Sequence, residues 1–167
     1  VQELLRLLGE TADETDIRVS PSQLQVTLGD SRFTSKLIDG KFPDYRRVIP
    51  RESERAILVD RLALRNALAR AAILSSEKSR GVRLKVDQWV LQIQAHNPEQ
   101  EEAVEEVEVN YDGEGLEIGF NVTYLLDALG ALSCELVRLS ITDANSSCLL
   151  LDPERPSPKH VVMPMRL

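Results

Sequence analysis

The sequence predicts an α+β protein assembled from a repeated unit, one helix followed by three or four antiparallel strands. Three observations carry this. Apolar residues recur at helical spacing in a few short stretches and at every second position through most of the remainder. QELLRLLG (residues 2–9) matches TYLLDALG (residues 123–130), with Leu4, Leu5, Leu8 and Gly9 all in register. ILVD (residues 57–60) before one helical stretch resembles IGFN (residues 118–121) before the other, which superposes Leu64 and Leu68 on Leu125 and Leu129. The unit occurs about two and a half times, and one unit alone cannot bury its own sheet face, so units must share a core in pairs. Residues 56–167 hold one complete pair. Residues 1–38 read as the second half of an earlier pair, and a chain opening on Val1 inside a helix reads as a piece of something longer.

The elements follow in order. Leu4, Leu5 and Leu8 make residues 1–8 a helix, with Gly9 as its C-terminal cap. Residues 16–19, 23–28 and 32–37 alternate polar and apolar, with Ser20-Pro21 and Gly29-Asp30 as turns between them. Residues 39–55 hold two prolines, several charges and no period, the composition of a linker. A strand at 56–59 leads into a helix of about sixteen residues, with Asp60 placed to accept hydrogen bonds from free amides of the first turn. Leu64, Ala67, Leu68, Ala71 and Leu74 share one side of it, while Arg61, Arg65 and Ala72 fall on an adjoining side with no large residue between them. Strands at 82–86, 89–94, 104–109 and 116–120 come next, then a helix over 122–132 capped by Asn121. Strands at 136–142, 147–151 and 160–165 finish the chain.

With 43% hydrophobic and 28% charged residues, the composition is that of a folded globular protein rather than a disordered one. No apolar run approaches the roughly 18 residues that cross a bilayer, and no basic-plus-apolar leader is visible. Two cysteines, Cys134 and Cys148, do not make a disulfide framework and fit a reducing cytoplasm. A net charge of −7 argues against tight binding of nucleic acid by the whole surface, because such binding rests on Lys and Arg neutralising phosphates.

Catalytic groups are scarce. His96 and His160 lack neighbours at metal-ligand spacing. No Gly-rich loop leads from strand to helix to cradle a phosphate, and no cysteine stands beside a base. The densest charged feature is Glu99, Glu101, Glu102, Glu105, Glu106 and Glu108. These carboxylates could hold Mg²⁺ in a hydrolase, line a subunit interface, or form a solvated strand face, which is the commoner fate of a charge run.

FTSKLIDGKFPDYRRVIP (residues 33–50), NPEQEEA (97–103) and VVMPMRL (161–167) closely resemble the bacterial DNA sliding clamp, the beta subunit of DNA polymerase III. ARAAILSSEKSRGVRL (69–84) and EIGFNVTYLLDAL (117–129) strengthen the match, which is colinear along the chain. The resemblance implies the processivity fold, with helices on one face of the sheets, three similar domains per protomer and two protomers closed head to tail around duplex DNA. Residues 1–50 would be the second half of the middle domain plus a linker, and residues 51–167 the complete C-terminal domain. The implied function is a processivity factor that tethers polymerase and docks loader and repair proteins, without an active site, cofactor or metal, in the cytoplasm. A ring retains its DNA by topology, so an acidic chain poses no conflict.

By position, the family's peptide-docking groove would comprise Pro43, Arg47 and Val48, Asn121 and Tyr124, Ser147, and the tail residues Val161, Val162, Met163, Pro164, Met165 and Arg166. Val and Met suit an adaptable apolar floor, while Arg47, Asn121, Ser147 and Arg166 suit hydrogen bonding to a peptide backbone. Asn145 and His160 depart from the residue types usual in the family. Ring closure would use Ile73 and Leu74, with Glu101, Glu102, Glu105 and Glu106 offered to basic residues of another protomer. Sequence-independent contact with duplex DNA would fall to Arg61, Arg65, Lys78, Arg80 and Arg83, all expected near the helical side. Two other readings compete: a metal-dependent hydrolase using the carboxylates at 99–108, and an oligomerisation scaffold that does not meet DNA.

Overall fold

Short-range hydrogen bonding sets the first elements. Ser20 both accepts from and donates to Gln23, which turns β1 (Asp16–Val19) into β2 (Gln23–Leu28). Gly29 takes a φ of 55°, which lets β2 reverse into β3 (Ser31–Lys36). With α1 (Gln2–Gly9) these strands make the first of two compact units, Val1–Pro43 and Asp44–Leu167, in a computed structural model that describes residues 2–9, 14–41, 44–50 and 56–166. The three strands are antiparallel in sequence order. Only Val26 and Leu28 are buried apolar side chains among the described residues of this unit, which fits a helix and three strands that cannot enclose a core. The division after Pro43 falls inside the stretch read as a linker, so residues 44–50 go with the second unit.

The second unit repeats one pattern twice. A single-turn 3-10 helix at Tyr45–Arg47 comes first. Then β4 (Ala56–Asp60) leads into α2 (Arg61–Ala71), followed by the meander β5 (Gly81–Asp87), β6 (Val90–His96) and β7 (Glu102–Asn110). The second copy is β8 (Leu116–Asn121), α3 (Val122–Ala131), then β9 (Leu136–Ser140), β10 (Cys148–Leu151) and β11 (His160–Val162). Asp60 and Asn121 cap their helices as expected, accepting from Ala63 N–H at 2.6 Å and Thr123 N–H at 2.9 Å. The first full helix is shorter than the sequence suggests: regular α-helix ends at Ala71 and a 3-10 turn carries Ala72–Leu74.

The copies exchange strands. The sheet order is β11-β10-β9-β4-β7-β6-β5-β8, so each copy's leading strand pairs with the first meander strand of the other. β4 runs along β9 from Ala56↔Ser140 to Asp60↔Leu136, and β8 runs along β5 from Leu116↔Val86 to Asn121↔Gly81. The central seam between β4 and β7 is only two pairs long, Leu58↔Asn110 and Val59↔Val109. The helix starts are exchanged as well: Arg61 N–H donates to Glu135 O and Val122 N–H to Arg80 O, each at 2.8 Å. Leu64 and Leu68 of α2 and Leu125 and Leu129 of α3 are fully buried in one shared core over the sheet. Each such leucine contributes about 1.5–3 kcal/mol of burial. Ala72, expected with Arg61 on a side adjoining the apolar one, is buried in this core, since α2 packs against α3 and Arg61 reaches α3's carbonyl end from that side.

The last strand is also shorter than expected. Pairing with β10 stops at Val162, two residues before Pro164, which has no N–H to continue a ladder. The chain then crosses to the opposite edge of the sheet, where Met165 N–H donates to Gly119 O of β8 at 2.8 Å. This closes the second junction between the copies, opposite the β4–β7 seam.

Both cysteines are free thiols. Burial alone drives the Cys148 thiol pKa far upward, and burial with the Asp152 charge raises that of Cys134. Since thiolate is the reacting form, mass spectrometry after iodoacetamide treatment should find Cys148 unmodified until denaturant is added, with Cys134 slow to react. Rapid native labelling of Cys148 would contradict this packing.

Candidate functional site

The tail is where the sheet's construction produces an open surface. Val162 faces the helix side and is 5% exposed, so the next residue outward, Met163, stands 61% exposed. Val161, Pro164 and Met165 are half-buried and Arg166 is exposed. Ser147 directly precedes β10, whose Cys148 pairs with Val162, so it lies at the level of Met163. Its hydroxyl makes a long contact with Val48 O at 3.5 Å, which draws residues 44–50 to this end of the sheet. Val48 closes the 3-10 turn that Asp44 caps, and is 43% exposed. On the other side, α3 packs against β11 and presents Tyr124 from its first turn at 60% exposure.

The structure brings some of the expected groove residues together. Ser147 lies level with Met163 and meets Val48 O, and Met165 and Arg166 lie beside Gly119 of β8, while Tyr124 is exposed on α3. Val162 is core. Asn121 spends its oxygen on capping α3 and one amide N–H on Ser79 O at 3.2 Å, which leaves a single donor for any ligand. Arg47 is exposed and lies 3.8 Å from the Asp44 carboxylate. Pro43 lies outside the described residues. Sequence reasoning missed Gly119, the residue that receives the tail. Its signal was available, because a glycine inside a strand marks a place where another backbone approaches closely.

The basic residues separate into distinct jobs. Arg61 donates to Cys134 O at 2.7 Å and to Leu129 O at 3.2 Å, holding α2's start against α3's end. Arg80, at a φ of 50°, donates to Ala72 O at 3.2 Å. Arg65 and Lys78 are exposed and form no ion pair among the described residues. Arg83 is not near the helical side, contrary to expectation. Its neighbours Val82 and Leu84 enter the helix-side core, so strand alternation sends Arg83 to the outer face, where it meets Glu117 at 2.8 Å. There it borders a cavity of about 320 Å³ that also touches Gly119, Met165 and Arg166.

Alternation likewise divides the glutamates. Glu102, Glu106 and Glu108 sit on the outer side of β7, while Glu105 turns to the helix side and holds Arg70 by two bonds of 2.8 and 2.7 Å. The Arg70 hydrogen bond holds the Glu105 carboxyl below its ordinary range. Glu101 is bound to Asn97, and Glu106 accepts from Gln92 at 3.2 Å. Among the described residues no three His, Cys, Asp or Glu side chains gather as a metal site. Ile73, 78% exposed, stands with Lys78, Pro98 and Glu99 around an open cleft of about 470 Å³, and Leu74 beside it is half-buried. No helix among the described residues is long and apolar enough to cross a membrane.

Comparison with known proteins follows the same division of the chain. The family model of the DNA polymerase III beta subunit central domain matches residues 1–44, and that of its C-terminal domain matches residues 46–166. The Beta sliding clamp of Pseudomonas aeruginosa is 52% identical across 100% of this chain, which covers 46% of that relative. The solved structure of Caulobacter crescentus pol III beta superposes with a TM-score of 0.84 at 42% identity, covering 99% of this chain and 45% of that one. A crystal structure of the Pseudomonas aeruginosa sliding clamp bound to griselimycin gives a TM-score of 0.78 at 52% identity, covering 99% of this chain and 45% of that one. The chain thus spans about half the length of the curated relatives it matches.

Proposed function

Because this chain belongs to the family of bacterial DNA sliding clamps, the beta subunits of DNA polymerase III, we propose that it serves as part of a DNA-encircling processivity factor. It contributes part of the middle domain and the whole last domain. Its own task is to dock short peptides of the polymerase, loader and repair proteins at the surface around the tail. The observation that carries this reading is the half-open stretch from Val161 to Arg166, braced by Ser147 on one side and Gly119 on the other, with Val48, Met163 and Tyr124 exposed around it.

The chemistry suits such a task. An exposed methionine between a valine and a tyrosine adapts to varied apolar anchors without having to unpack a core. The backbone beneath it is fixed at both edges, so little order is lost on binding. A loosely held DNA duplex needs only scattered phosphate contacts, and Arg65 and Lys78 are free to make them. Ring closure by the surface around Ile73 and Leu74 completes the proposal. The clamp performs no chemistry itself and works in the cytoplasm. Nothing supports the hydrolase alternative: the carboxylates it needs are divided between two faces, and Glu105 is already committed to Arg70.

The test is an NMR titration of the 167-residue chain with a peptide of glutamine followed by leucines and phenylalanine. The amides of Met163, Met165 and Arg166 should shift together, and Met163→Ala should weaken binding about five- to tenfold. Shifts confined to other surfaces, or none at millimolar peptide, would end the docking reading.

A further inference from the structure

We propose that the cavity beside the tail, bordered by Arg83, Glu117, Gly119, Ala144, Met165 and Arg166, is a subsite for an acidic side chain flanking the apolar anchors of a docked peptide. The inference rests on the docking reading and adds a selectivity to it. Met165 and Arg166 belong to both the cavity and the docking surface, so a peptide lying over Met163 has its next residues at this opening. The cavity's charge is unbalanced in one direction. Two guanidinium groups, Arg83 and Arg166, face a single carboxylate, Glu117. Arg83 uses Nη1 to donate to Glu117 at 2.8 Å, one of the five N–H groups a guanidinium carries, so it can take a second carboxylate in the fork geometry that arginine favours. The nearest other acid along the chain, Asp143 beside Ala144, is occupied in its own turn. It accepts from Ser146 Oγ at 2.6 Å and Asn145 N–H at 2.8 Å. Its carboxyl is accordingly held below the ordinary range, chiefly by the Ser146 hydroxyl.

Peptides of the same anchors, amidated at the C-terminus so that no terminal carboxylate competes, would carry Glu, Gln or Lys next to the anchors on either flank. On one flank, Glu should bind the 167-residue chain about three- to fivefold more tightly than Gln at low salt, with Lys weaker than both. The advantage should disappear above about 0.5 M salt, where exposed charges are screened. Arg83→Gln should remove the preference while leaving the affinity of the Gln peptide unchanged, which also reports an intact fold. Glu117→Gln should enlarge the preference. Equal affinity for Glu and Gln on both flanks, or a preference that survives Arg83→Gln, would overturn the proposal and leave the docking surface standing. Failure of all three peptides would overturn the docking reading itself.

Discussion

Phe120→Ala should lower the unfolding free energy by about 3–5 kcal/mol, measured by urea denaturation, and should free the tail as it does so. Phe120 is fully buried, and it lies between the residue that receives the tail, Gly119, and the residue that caps α3, Asn121. Its strand, β8, ends the sheet order, and among the described residues β5 is its one strand partner while the tail holds its other side through Gly119. The second expected result is therefore local: the amide of Met165, whose acceptor is Gly119 O, should lose hydrogen-exchange protection by more than the amides of β6, which lies between two strands. A uniform loss across the sheet would show that the tail is held by something other than β8. A cost below about 1 kcal/mol would mean that the core closes over the gap.

Arg61→Ala should cost about 1.5–3 kcal/mol, because it leaves the carbonyls of Cys134 and Leu129 without their charged donor at a partly buried site. Lysine should not restore the loss, since a single ammonium does not reproduce two bonds from a planar fork. The contrast with Arg65→Ala separates architecture from DNA contact. Arg65 is exposed on the same helix, and its removal should change stability by less than about 0.5 kcal/mol. It should instead reduce the salt dependence of duplex DNA binding by about one phosphate contact. If Arg61→Ala leaves stability intact and weakens DNA binding as Arg65→Ala does, the assignment of Arg61 to a structural role is wrong.

The motifs at residues 33–50 and 161–167 made the proposed docking residues legible in the sequence, and the structure sets Ser147 level with Met163 and against Val48 O. Where expectation and structure part, the cause is the same in each case. Val162 and Met163 are both apolar tail residues, yet one is core and the other surface, because Val162 ends β11 facing the helix-side core while Met163 lies beyond the strand and is left open. Glu105 looks like its neighbours in the chain, but it turns inward to Arg70. Arg83 looks like one more cation beside Lys78 and Arg80, but it lies across the sheet from the helices.

The sequence by itself determined the units of this protein: two capped helices, their hairpins and the repeat that relates them. These depend on hydrogen bonds and apolar periods spanning a few residues, as with Asp60 to Ala63 and Asn121 to Thr123. Tertiary structure alone decided which polar groups remain free to act. Arg61 meets Cys134 across 73 residues, Arg70 meets Glu105 across 35 and Arg83 meets Glu117 across 34. No local pattern encodes such pairs, because they arise only once helices and strands far apart in the chain pack together, within one copy for Arg70 and Glu105 and across the exchanged strands for the other two.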